Sequence, residues 1–136
     1  MRVSIRPAQA TDIGTVLAMW AKAGAEPTHT DNPECLGELM SHDPGAVLLA
    51  EADGQTVGTI IAVWDGWRGS VYRLAVAPSH RRQGLARQLL RAAEERLTGL
   101  AVRFQAIIVE TDDLATGFWQ ASGWHQQDAR LRFTKG

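Results

Sequence analysis

The stretch Leu74-Ala75-Val76-Ala77-Pro78-Ser79-His80-Arg81-Arg82-Gln83-Gly84-Leu85-Ala86 constrains this chain more than any other. An apolar strand pattern stops at Pro78, a basic turn follows, and a helical pattern opens over Gln83 to Ala86. The first amides of a helix lack internal acceptors and carry the positive end of its dipole. They form a ready anion site. Gly84 and the small Ala86 let a phosphate approach the backbone closely, and Arg81, Arg82 and Arg87 surround that point with positive charge. The pattern points to a pyrophosphate cradle. Taken alone, it equally describes a helix with a small-residue start and a solvated basic turn.

The elements around this segment alternate. Val3 to Arg6 reads as a strand stopped by Pro7, and Thr11 or Asp12 can cap a helix carrying Ile13, Val16, Leu17 and Trp20 on one face. Ala25 to Pro33 reads as a surface loop and Glu34 to Met40 as a short helix. Val47 to Glu51 and Val57 to Trp64 form a hairpin through Asp53-Gly54. Asp65-Gly66 makes another tight connection, to a strand over Val71 to Val76. The longest helix, Gln83 to Leu97, buries Leu85, Leu89, Ala92, Ala93 and Leu97 and stops before Gly99. Phe104 to Val109 is an apolar strand, a last helix runs to about Ser122, and Trp124 to Phe133 supplies one or two final strands. The predicted order is β-α-α-β-β-β-α-β-α-β: an α/β (α+β) chain with one mixed, mostly antiparallel sheet and helices on its faces.

Composition removes several functions. The length of 136 residues suits one domain. Fourteen Lys+Arg against fifteen Asp+Glu leave no chain-wide basic field for nucleic acid or an anionic membrane. The single cysteine, Cys35, rules out an internal disulfide and a Cys-only metal site, and fits a reducing cytoplasm. On its small helix it reads as a small buried hydrophobe. No run approaches the ~18 apolar residues of a membrane span, and Met1 to Ala10 does not read as a secretory signal. His29, His42, His80 and His125 show no metal-like spacing.

The sequence resembles the GNAT superfamily, the GCN5-related N-acetyltransferases. Arg81-Arg82-Gln83-Gly84-Leu85-Ala86 matches the family's phosphate motif, Leu74-Ala75-Val76-Ala77-Pro78 its preceding strand, and Phe118-Trp119-Gln120-Ala121-Ser122-Gly123-Trp124 the end of its late helix. The element order is the family's too. The resemblance implies acetyl-CoA as cosubstrate, with a splay between the fourth and fifth strands. The pantetheine arm would lie along Leu74, Ala75 and Val76, and the Val76 amide would stabilise the oxyanion of the tetrahedral intermediate. The pyrophosphate would sit on the amides of Arg82, Gln83, Gly84, Leu85 and Ala86, with the Arg81 and Arg87 side chains nearby. A neutral amine would attack directly once a base or water chain took its proton.

Two departures from the family pattern stand out. Trp119 replaces a common tyrosine acid, and an indole N–H does not serve as an acid near neutral pH. Trp119 is expected to pack against the pantetheine instead. Tyr72 shares a strand face with Leu74 and Val76 by simple alternation, which makes it either an acid or a structural residue. Asp112 stands where an asparagine often binds the cofactor, and it equally reads as a helix cap. Glu110 is the nearest carboxylate to serve as base.

For the acceptor, His29 and Asp31 lie in the loop between the first two helices, which usually borders that site in the family. Asp65 and Trp67 either wall a pocket or serve their own turn. The implied activity is acetyl transfer to a small-molecule amine. A peptide acceptor, or a degenerate acyl-CoA sensor, are the alternatives. A homodimer through the last strands is also consistent with the family.

Overall fold

The computed structural model describes residues 2–25, 27–100, 104–106, 113–127, 133 and 135, without the side chains of 104–106 and 113–116. Five strands lie in chain order in one sheet: β1 (Val3–Pro7), β2 (Val47–Ala52), β3 (Gln55–Trp64), β4 (Gly69–Val76) and β5 (Phe104–Ala106). The first four are antiparallel, and β5 joins β4 in parallel at Gly69–Val71. Helices α1 (Ile13–Lys22) and α2 (Pro33–His42) follow β1; α3 (Leu85–Thr98) follows β4; α4 (Asp113–Ala121) follows β5. The expected strand beyond Ala106 and the segment 128–132 lie outside the described residues, so the splay and most of the final strands do as well. Trp124 to Gln127, expected to begin a strand, runs as irregular chain after α4.

Asp53 and Gly54 both take positive φ, 52° and 77°, the geometry of the two-residue hairpin turn that Asp-Gly favours. Helix α2 begins earlier than expected. Asn32, placed in the loop by the sequence, caps it by accepting from the Cys35 amide at 2.8 Å. Pro33 fills the first helical position, where its missing N–H costs nothing. Cys35 itself is half-buried rather than buried.

The sheet is covered on both faces. On one, Leu85, Leu89, Leu90 and Leu97 of α3 pack with Leu48, Ile60, Ala62 and Val71. On the other, Val16, Met19 and Trp20 of α1 and Leu36 of α2 pack with Val47, Leu49, Ile61 and Ala75. Double coverage explains why Val47 to Ala50 is buried without interruption. Gly58 lets α3 come close: a Cβ there would stand 2.8 Å from Leu89 Cδ1 and 3.2 Å from the Ala75 carbonyl.

Strand β4 is not regular. Val71 pairs with Ala62 and Tyr72 with Ile61, but Ala75 pairs with Thr59 and Val76 with Gly58. One extra residue is therefore accommodated between Tyr72 and Ala75, and Arg73 there has φ 54°. This is a β-bulge, which bends and re-aims a strand.

Candidate active site

The end of β4 and the start of α3 form one cleft of about 330 Å³, lined by Val76, His80, Arg81, Arg82, Gly84, Leu85, Ala86, Arg87 and Phe118. The expected cofactor residues largely converge here. Gly84 precedes α3 with φ 78°, a left-handed conformation that glycine adopts without strain, and a Cβ there would meet open space. The amides opening α3 lack intrahelical acceptors. Among the residues there, Leu85 is buried and Ala86 half-buried, and both line the cleft. Gln83 is exposed beside them.

The direction of the Val76 amide follows from the ladder. Ala77 N donates to Val57 O at 2.8 Å, so the neighbouring Val76 directs its own N–H and C=O away from β3. Arg81 Nε donates to that carbonyl at 3.4 Å. Leu74 shares the Val76 phase, and its side chain rests against the α3 core. Ala75 has the opposite phase: its side chain is buried on the α1 side and its backbone groups face Thr59 of β3, so it is not placed to contact a ligand itself.

Arg81 is not simply a phosphate ligand: its Nη2 donates to the Ala23 carbonyl at 2.8 Å, tying the basic turn to the end of α1. Arg82 and Arg87 remain exposed at the cleft. Trp119, expected along the pantetheine, is instead buried in the α3 core, edge-on to Trp124 with centroids 4.8 Å apart. Its neighbour Phe118 lines the cleft. Alternation in the sequence could not separate these two adjacent aromatics.

Tyr72 does not share a face with Leu74 and Val76. The bulge changes the phase, so Tyr72 stands with Ile61 on the α1 side, half-exposed. Simple alternation fails because Arg73 adds a residue.

Asp65 and Trp67 lie in the turn before β4, at the opposite end of that strand from Val76, which about six ladder steps put roughly 20 Å away. Asp65 Oδ1 accepts from the Arg68 amide at 2.7 Å and the Trp67 amide at 2.8 Å. Those bonds hold its carboxyl below the ordinary range and account for it as a turn residue. Trp67 is 74% exposed, with the Arg68 guanidinium 4.2 Å over its ring. Neither borders the cleft.

His29 is exposed, and its carbonyl accepts from Asn32 Nδ2 at 3.0 Å. Asp31 is paired with Arg73. Glu110 and Asp112 lie outside the described residues. Arg73 escaped the sequence reading altogether. A non-glycine left-handed residue in mid-strand has no local signature there.

The fold has well-matched relatives. Ard1 from Thermoplasma volcanium superposes with a TM-score of 0.80 at 18% identity, over 90% of this chain and 82% of that one. The aminoglycoside N-acetyltransferase AAC(6')-Iy in complex with CoA gives 0.77 at 18%, over 98% and 95%. The aminoglycoside 6'-N-acetyltransferase AAC(6')-IG from Acinetobacter haemolyticus gives 0.76 at 19%, over 98% of each chain. At such identities the likeness is one of fold. The sequence profile of the acetyltransferase (GNAT) family matches residues 15–124, and the chain belongs to that family.

Proposed function

We propose that this chain is an acetyl-CoA-dependent N-acetyltransferase that moves acetyl directly to a primary amine of a small molecule. One observation carries the reading. The Val76 amide points away from β3, and Val76 borders the same cleft as the amides and glycine that open α3. An amide of the kind that can donate to an oxyanion and helix-start amides of the kind that can hold a diphosphate thus border a single cleft, which supports the reading. The cradle fits its ligand: Gly84 leaves the space that any side chain would fill.

Acetyl-CoA supplies an acetyl thioester in this scheme. Val76 N–H stabilises the charge that develops on the thioester oxygen as the amine attacks. The α3 amides, Arg82 and Arg87 hold the diphosphate and fix the distance to Val76, so positioning contributes much of the rate. Phe118 and Leu85 exclude water from the cleft wall. Glu110 is the proposed base. Tyr72 faces away from the cleft, so protonation of the leaving thiolate falls to water or to a group other than Tyr72. The small-amine preference is supported by fold neighbours that are aminoglycoside N-acetyltransferases.

The test is release of free CoA thiol from acetyl-CoA with a panel of small amines and peptides, beside calorimetric titration of CoA. Turnover with small amines is expected. Turnover confined to peptides, or tight acetyl-CoA binding without transfer, overturns the reading.

A further inference from the structure

We propose that Arg73 and Asp31 form a latch that holds the α1–α2 loop against the bulge of β4, and that Arg73 is thereby a positioning residue for the acceptor amine. The inference rests on the acetyltransfer reading above. It begins with geometry. The cofactor cleft lies on the α3 face at the end of β4, lined by Val76, Leu85 and Phe118. An acceptor reaching a thioester at Val76 is left the opposite face. That is the face to which the bulge turns Tyr72 and Arg73.

Arg73 is heavily engaged there. Its Nε donates to Asp31 Oδ1 at 3.2 Å, its Nη2 pairs with Asp31 Oδ2, and the same Nη2 stands 3.5 Å from Thr28 Oγ1. Its guanidinium carbon lies 5.2 Å from the Trp20 ring centroid, within cation–π range. Both charged side chains are largely withdrawn from solvent, at 15% and 17% exposure. Screening is correspondingly weaker than for a surface pair.

The loop end of the latch is itself organised. Asp31 Oδ2 accepts from the Thr28 amide at 2.9 Å, and the Asp31 amide donates to the Thr28 carbonyl at 3.2 Å. One carboxylate thus closes the Thr28–Asp31 turn and receives Arg73. A two-pronged guanidinium suits this better than an ammonium, because it meets both carboxylate oxygens at once. Breaking the pair frees the loop from β4 while leaving the α3 cleft untouched.

The experiment compares Arg73→Gln, Asp31→Asn and the conservative Arg73→Lys. Three measurements are taken: hydrogen exchange over residues 27–32, acceptor KM and kcat, and CoA affinity by calorimetry. Arg73→Gln and Asp31→Asn are expected to speed exchange in the loop and raise acceptor KM about tenfold, with kcat and CoA affinity within about threefold. Arg73→Lys is expected to fall between them and the parent. Unchanged loop exchange in a folded variant overturns the latch. Faster loop exchange with unchanged acceptor KM, or equal losses in acceptor and CoA binding, overturns the positioning role. A parent protein that binds no CoA sinks the acetyltransfer reading instead, and with it the positioning role. The exchange data still decide the latch.

Discussion

Trp20 Nε1 donates to Thr59 Oγ1 across 2.7 Å in the fully buried layer between α1 and the sheet. The same hydroxyl donates to the Arg73 carbonyl at 3.0 Å. A single threonine therefore satisfies an indole and the bulged backbone together. Thr59→Val keeps the shape and leaves both groups without this partner, at a cost of about 1–3 kcal/mol. Urea unfolding measures it. An unchanged midpoint would show that the two groups find other partners.

Gly84 and Gly58 are expected to fail differently on substitution by alanine. At Gly84 the new methyl meets open space, but φ is 78°, so folding loses about 1–2 kcal/mol from backbone strain. The methyl would also intrude where the diphosphate is proposed to sit, so CoA affinity falls. At Gly58 the methyl meets Leu89 and a backbone carbonyl. Stability then falls by about 1–3 kcal/mol, and CoA affinity of the folded fraction is retained. Thermal melts with and without CoA separate the two cases.

The three arginines near α3 should not be equivalent. Arg82→Ala and Arg87→Ala are expected to weaken CoA binding severalfold with little change in melting temperature. Arg81→Ala removes the bond to the Ala23 carbonyl. It should lower the melting temperature and loosen the end of α1 as well. Calorimetry paired with melting curves checks this, and identical behaviour of Arg81→Ala and Arg82→Ala would refute it.

Acid sensitivity is predicted near β1. The Arg6 side chain donates to Asp12 at 2.9 and 3.1 Å, and the Gln9 amide donates at 2.8 Å. Arg6 first, then Gln9, holds the Asp12 carboxyl below its ordinary 3.8. A depressed carboxyl stabilises the fold above its unfolded pKa, and that contribution fades as pH falls from about 3.8 through the folded value. Arg6 is 38% exposed, so the effect is about 1 kcal/mol or less. Asp12→Asn should be less stable than the parent at pH 7 and indistinguishable from it in strong acid. A gap that persists in acid would exclude the ion pair as its cause.

What the sequence showed and what it hid divides along physical lines. Asp53-Gly54 announced its hairpin because few residue pairs accept two consecutive positive φ values. The strand–turn–helix junction is legible because Gly84 and Ala86 follow a strand, a proline and arginines in short order. Tyr72 was placed on the wrong face because parity counting assumes an unbroken ladder, and Arg73 breaks it without a glycine. Trp119 is expected along the pantetheine but is buried while Phe118 lines the cleft, because both are large and apolar and only tertiary packing separates them. Asp65 looked functional for the same reasons that make it a good turn residue.

The bulge has one more consequence. On either side of Arg73, β4 keeps the same phase toward β3: Val71 and Val76 both stand opposite residues on the α3 side. Arg73 is thus a supernumerary position, outside the count that aligns Val76 with the cleft. Under the proposed function, a substitution there is expected to alter the face opposite the cleft while the register that sets Val76 is preserved. The strand carries a replaceable part in a fixed frame.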